Sequence, residues 1–321
     1  MTAAALVCAF DIAGTPTGIA WQDLHSPPPA EGWRWVHLNR TEPSAVKWVR
    51  KESGLPKHVA EALLAEETRP RCAVSPEGTL LILRGVNLFP EADPDALVSI
   101  RLWIEPGRVI SLRKVKLLAI DDIRRSYEAG AGPASIGDFV IELARGLTER
   151  MGAAIQDIEE EIDDLEESGI DLPSQDIRKR LIDIRRQTIP LRRYLSPQRD
   201  ALGQLVAAKP DWLDTWQQSR LREVADQVIR YVEDLDALRE RASILHEELS
   251  NRLSETLNRN MYILSLVAAV FLPLGFATGL LGINVGGMPG AEDAAAFYVV
   301  CGILIIIGLA EIALFRWLKW I

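Results

Sequence analysis

Hydrophobic and polar positions recur with three different periods along the chain, and each period predicts a different architecture. In residues 1–134, short runs rich in Val, Ile, Leu and Trp at 6–10, 33–38, 79–86, 97–104 and 108–112 read as strands. Residues 43–51 and 56–67 read as helices between them, each with a proline near its first turn. Gly85, Pro90, Pro94 and the pair Pro106-Gly107 punctuate the strands as turns or bulges. The predicted unit is a mixed α/β domain. No strand leads into a phosphate-binding glycine fingerprint, and there is no nucleophile elbow, HExxH or paired CxxC.

From Ser135 the period becomes helical. The hydroxyl of Ser135, three residues before Asp138, suits an N-cap. Ile155, Ile158, Ile162 and Leu165 form one apolar stripe, and the other faces carry Asp157, Glu159, Glu160, Glu161, Asp163, Asp164, Glu166 and Glu167. Gly169 and Pro173 end this helix. The segment from Ser174 is basic, with Arg178, Lys179, Arg180, Arg185, Arg186, Arg192, Arg193 and Arg199, and Pro190 and Pro197 are expected to kink or interrupt it. Residues 135–210 are therefore expected to form an antiparallel helix pair of complementary charge. The acidic run has a second possible use in gathering cations, but a solvated face with basic neighbours is the commoner one.

A third helical stretch starts at 211. Leu221, Val224, Val228, Val232, Leu235, Leu238, Ala242, Leu245, Leu249 and Leu253 recur at roughly 3.5-residue spacing, the signature of helix-on-helix packing. No Gly or Pro occurs from Asp211 to Phe271, so a stalk over 211–260 runs without a break into the apolar run at 261–281. A single helix continued to Leu281 would be ~105 Å long. Such a rod cannot bury its stripe alone, which predicts an oligomer.

The third period is continuous apolarity. Residues 261–281 contain no charged side chain, and at ~1.5 Å per residue they span the ~30 Å hydrocarbon core of a bilayer. A second apolar run, 297–317, returns across the membrane after a loop at 282–296, leaving a short tail at 318–321. Arg252 and Arg259 precede the first span and Arg316 and Lys319 follow the second, whereas the loop carries only Glu292 and Asp293. The positive-inside rule then places both termini in the cytoplasm of a multi-pass inner-membrane protein, with Trp317 and Trp320 at the inner interface. The N-terminus lacks the basic and apolar regions of a cleavable signal. Cys8, Cys72 and Cys301 are scattered and suit a reducing compartment. A net charge of −9 argues against nucleic acid and for a surface that attracts cations.

Candidate chemistry lies on the first span. Asn258, Ser265, Ala268, Leu272, Gly275 and Gly279 share one stripe, which Met261 joins and which Ser254 and Glu247 continue down the stalk. Copies of this stripe around an axis would stack polar rings along a water-filled path, with an apolar constriction near Leu272. The plain alternative is that Gly275-x-x-x-Gly279 only allows close helix packing. At the outer edge, the Asn284 amide oxygen suits a hydrated divalent cation, because it accepts hydrogen bonds from the ion's water shell without holding the ion tightly. Gly282, Gly286 and Gly287 allow backbone carbonyls to point at the same ion. Glu311 is an intramembrane carboxylate, for which proton coupling and a snorkelling or inter-helix bond are both open. His246 beside Glu247 is a subsidiary metal candidate. Four histidines are otherwise too scattered for a closed zinc site.

The stretch FLPLGFATGLLGINVGGMPG resembles the CorA family of metal-ion transporters, whose hallmark at this position is Gly-Met-Asn. The Gly-Ile-Asn variant, LLAEETRPR at 63–71 and RRYLSPQRDAL at 192–202 are similar to its ZntB-type zinc-transporting branch. The resemblance covers essentially the whole chain. It implies an α+β protein with transmembrane helices: an α/β cytoplasmic funnel domain, a long stalk and a C-terminal two-helix hairpin, assembled as a homopentamer. It maps the selectivity motif onto Gly282, Ile283 and Asn284, a pore-lining polar position onto Asn258 and a stalk carboxylate onto Glu247. Magnesium-type members carry an acidic residue soon after the motif, where this chain has Gly286, Gly287 and Gly290, with Glu292 and Asp293 only later.

The expected function is transport of a divalent cation, zinc first, with cadmium, nickel and cobalt as further candidates. Uptake is the favoured direction, with Glu292, Asp293 and Glu311 as candidates for proton coupling or ion attraction. The rivals are a CorA-type magnesium/cobalt channel, zinc efflux and, in a different class, a membrane-anchored non-conducting sensor. No enzyme activity and no cofactor beyond the transported ion are expected. The expected partners are further copies of the chain, lipid, divalent cations and protons.

Overall fold

A computed structural model describes residues 5–86, 97–168, 173–283, 293 and 295–318. The chain divides into two compact units, residues 1–246 and 247–321.

Unit one is built on a seven-stranded sheet, in the order β2-β1-β3-β7-β6-β5-β4. The strands are β1 (Leu6–Ala13), β2 (Thr15–Gly18), β3 (Trp33–Asn39), β4 (Arg71–Ser75), β5 (Gly78–Val86), β6 (Leu97–Glu105) and β7 (Arg108–Arg113). All neighbours are antiparallel except β3 and β7, which pair in parallel with Trp35 opposite Val109. Two of these strands, β2 and β4, have no counterpart in the sequence pattern, since both are short and largely exposed. At the β6–β7 hairpin, Pro106 fixes the first turn residue and Gly107 supplies the positive φ (+74°) of the second.

Alternation along the strands sends side chains to two faces. Val36, Leu38, Leu80, Ile82, Ile110 and Leu112 pack with Trp48, Val49, Val59 and Leu63 of helices α1 (Pro43–Lys51) and α2 (Lys57–Leu64). On the opposite face Trp33 and Trp35 meet Tyr127 and Phe139, with Trp35 and Phe139 ring centres 5.0 Å apart. Tyr127 and Phe139 come from α3 (Leu118–Glu128) and α4 (Ile136–Ser168). Gly85 lets α4 lie close to β5, because a Cβ there would sit 2.6 Å from Leu147 Cδ2.

Helices α4, α5 (Ser174–Ala208) and α6 (Thr215–Leu281) continue from this layer. Ser135 caps α4 as expected: its Oγ accepts from the Asp138 backbone N–H at 3.1 Å. The same Oγ accepts from Gln217 Nε2 at 2.7 Å, while Gln217 and Asp214 form a reciprocal capping box at the start of α6. That box starts α6 at Thr215, a few residues later than the sequence pattern places the stalk. Shared caps set α4 and α6 side by side, and Tyr231 against Gly152 and Arg241 against Asp163 and Glu166 show that they run parallel. Helix α5 runs antiparallel to both, with Arg180 on Glu161 of α4 and Arg192 on Asp236 of α6. The expected interruption at Pro190 and Pro197 does not occur, and α5 is continuous through both. Ile184, Leu191, Leu195, Leu202 and Leu205 are all buried along it. Burial at ~1.5–3 kcal/mol per side chain outweighs the roughly 3 kcal/mol cost of an interior proline.

Unit two contains the end of α6 and helix α7 (Ala296–Trp317). Both helices are long and apolar enough to cross a membrane.

Candidate functional site

Within unit two, the ends of the loop are held by local bonds. The Gly282 N–H reaches the Thr278 carbonyl at 2.9 Å, closing the last turn of α6. Asp293 Oδ1 accepts from the Ala295 N–H at 2.9 Å at the entry to α7, which gives this carboxylate a turn-forming role of its own. Gly282 and Ile283 are described and exposed, whereas Asn284, Gly286, Gly287, Gly290 and Glu292 lie outside the described residues.

Burial separates the faces of the two membrane helices. Within the apolar part of α6 the partly covered positions are Leu266, Ala269, Val270, Leu274 and Ala277. On α7 they are Ala296, Val300, Cys301, Gly302, Leu304, Ile307, Gly308 and Glu311, with Phe315 buried. Glu247, Ser254, Asn258, Met261, Ser265, Ala268, Leu272, Gly275 and Gly279 are all exposed. At 100° per residue they fall within a sector about 100° wide. That sector runs from a carboxylate, hydroxyl and amide at Glu247, Ser254 and Asn258 to Met261, Ser265, Ala268, Leu272, Gly275 and Gly279, all of them exposed.

Glu311 falls outside that sector. It sits on the partly covered side of α7, and its Oε2 is shut off from solvent with no hydrogen-bond partner. The i, i+4, i+7 spacing of Leu304, Gly308 and Glu311 could have located it on this side of α7 from the sequence.

Among the described residues no group of three His, Cys, Asp or Glu side chains could hold a metal ion. Burial pushes the Cys8 thiol up to about 12 and the Cys72 thiol up to about 11, so neither is a ready nucleophile. His37 is fully buried and drawn well below its ordinary range by burial.

A mixed α/β layer, a long helix and two C-terminal helices apolar enough to cross a membrane are the architecture that solved metal-ion transporters share. The chain matches the family described as CorA-like Mg2+ transporter protein over residues 30–318, and it belongs to that family, whose members are divalent-cation transporters and not enzymes. It is 40% identical over 273 residues to a zinc transport protein, ZntB, of Pectobacterium atrosepticum, covering 85% of this chain and 83% of the relative. It is 40% identical over 291 residues to the divalent cation transporter CmaX of Pseudomonas aeruginosa, covering 89% and 87%. The solved full-length CmaX structure superposes with a TM-score of 0.85 at 35% identity, over 99% of this chain and 98% of that one. The CorA magnesium transporter of Methanocaldococcus jannaschii shares the fold, with a TM-score of 0.82 at 17% identity over 98% of each chain.

Proposed function

We propose that this chain forms a homopentameric inner-membrane transporter of divalent cations, with zinc as principal substrate and both termini in the cytoplasm. The observation that carries the reading is the exposed sector of α6, from Glu247 through Asn258 and Ser265 to Gly279, which falls on one face of the helix about 100° wide. Carboxylate, hydroxyl and amide groups leading into the span, with Ser265 and small residues along it, suit a water-filled path. Copies around an axis turn that face into stacked rings. Asn284, just beyond the last turn of α6, forms the outer ring, which selects a hydrated ion through its water shell. Zinc is favoured by the likeness to ZntB and by the Gly-Ile-Asn variant followed by glycines where a carboxylate would suit magnesium.

Uptake follows from energetics. A potential of 100 mV, inside negative, is worth ~2.3 kcal/mol per charge, hence ~4.6 kcal/mol for a divalent ion moving inward. Glu311, with one buried and unpartnered oxygen, is the group best placed to carry a coupled proton.

The test is zinc and magnesium entry into proteoliposomes, with and without an acidic exterior, for wild type and Asn284→Ala. Zinc entry that rises with outside acid and falls in the variant supports the reading. Magnesium entry alone would make it a magnesium channel. No movement of either ion in sealed vesicles would leave a membrane-anchored sensor.

A further inference from the structure

Charge on α4 and α5 is only partly consumed within the chain. Arg180 takes Glu161 and Asp164, and Arg241 takes Asp163 and Glu166. Among the described residues Glu159, Glu160 and Glu167 make no ion pair, and Glu160 meets only the Gln156 amide, at 3.1 Å. On α5, Arg185 and Arg193 likewise make no ion pair among the described residues. They line a half-open groove of about 670 Å³ between α5 and α6 together with Ile189 and Arg239, and Glu240 is its single acidic wall residue. Ile182 and Ile189 stand 58% and 62% exposed along this side, an apolar floor left uncovered beside a row of guanidinium groups.

We propose that this groove receives the acidic face of α4 from a second copy of the chain. Three observations select that occupant. The first is sign: Glu159, Glu160 and Glu167, on a stretch of 156–167 without a base, meet a groove whose Arg185, Arg193 and Arg239 make no ion pair among the described residues. The second is level. Arg241 on Asp163 and Glu166 of α4, and Arg192 on Asp236 of α6, set the α6 wall of the groove, Leu235 to Ser243, at the height of the acidic run. Cyclic symmetry brings equal heights of neighbouring copies together, so a patch on one flank meets its complement on the other. The third is direction. The groove opens on the α6 side of α5, away from α4, while Glu159, Glu160 and Glu167 point away from α5, on the α6 side and back of α4. One chain therefore cannot close the contact on itself, whereas a ring of copies closes it at every junction. Exposed isoleucines then pack against the aliphatic stems of the incoming glutamates. This inference rests on the self-assembly proposed above and not on which ion is carried.

The experiment is charge reversal in the full chain, purified in detergent, with native mass spectrometry and zinc entry read in parallel. Arg185→Glu with Arg193→Glu, and separately Glu160→Lys with Glu167→Lys, should each weaken association by roughly tenfold or more at low salt. The combined four-fold variant should regain most of it, because only a contact between these two faces is repaired by exchanging their signs. High salt should shrink all these differences. Wild-type helical content by circular dichroism in each variant excludes misfolding as the cause. Reversals that leave association unchanged, or a combined variant no better than either half, would overturn the proposal. So would an intact assembly whose α5 reversal abolishes retention on anionic-lipid vesicles, since the groove would then be a headgroup site. A ring that loosens as expected while wild type moves no ion would keep this contact and sink the transport reading.

Discussion

His37 provides a test of the fold that needs only a change of pH. Its side chain is wholly buried, on the sheet face that carries Trp35. Nδ1 lies 2.8 Å from Ser111 Oγ, which also accepts the Trp35 indole N–H at 2.8 Å. Nε2 is buried with no partner. Burial, reinforced by the charge of Arg113, holds the imidazole neutral, with its pKa well below the ordinary 6.5. In the unfolded chain the same group takes a proton near pH 6.5, so below that pH the unfolded state binds more protons. Stability is therefore fully present above about pH 7 and declines as the pH falls through 6.5. Between about pH 7.5 and 5.5 the loss is ~1.4 kcal/mol, the free energy of protonating the unfolded group a tenfold excess over its neutral form. For a unit of this size that is a fall of about 3–6 °C in Tm. The assay is thermal unfolding of the full chain in detergent at both pH values, comparing wild type with His37→Gln. His37→Gln starts less stable, but its pH-dependent fall should be smaller by that amount. Equal falls in the two proteins would show that His37 is solvated or charged in the native state, and would refute the reasoning.

Three further outcomes are expected from the geometry. Gln198 is 1% exposed and its Oε1 accepts the Arg84 backbone N–H at 2.7 Å, joining α5 to β5, so Gln198→Leu should cost about 1–3 kcal/mol in denaturant unfolding. Ala268→Trp fills the open sector of α6 and should cut ion entry at least tenfold, while Val267→Trp, one position round the helix, should leave entry within about twofold of wild type. Glu311→Gln removes only the ionisable proton of this partly buried side chain; it should abolish stimulation of zinc entry by outside acid and leave voltage-driven entry in place.

Patterns of local period are enough to find most of the elements. Strand alternation at 33–38 and 108–112, the Ile155–Leu165 stripe and the two uncharged runs each state their secondary structure, because each element buries one face or lies in one solvent. The polar sector of α6 is equally legible, since a helix of fixed 100° steps converts residue spacing into a shared face. Other features depend on contacts distant in sequence. Strands β2 and β4 exist because β1 and β5 offer them hydrogen bonds, not because their exposed residues favour extension. Pro190 and Pro197 stay helical because buried leucines on either side of them hold α5 in place. Arg34, a charged residue in an apolar strand, is 3% exposed because Asp11 on the neighbouring strand binds it with both oxygens, at 2.7 and 2.8 Å. Complementary charge on α4 and α5 suggests that the two helices satisfy each other. Tertiary packing instead gives Asp163 and Glu166 to Arg241 of α6 and leaves part of each charged face open. Composition fixes how much charge a helix carries. Which partner neutralises it is decided only by which helices the caps and the core bring alongside.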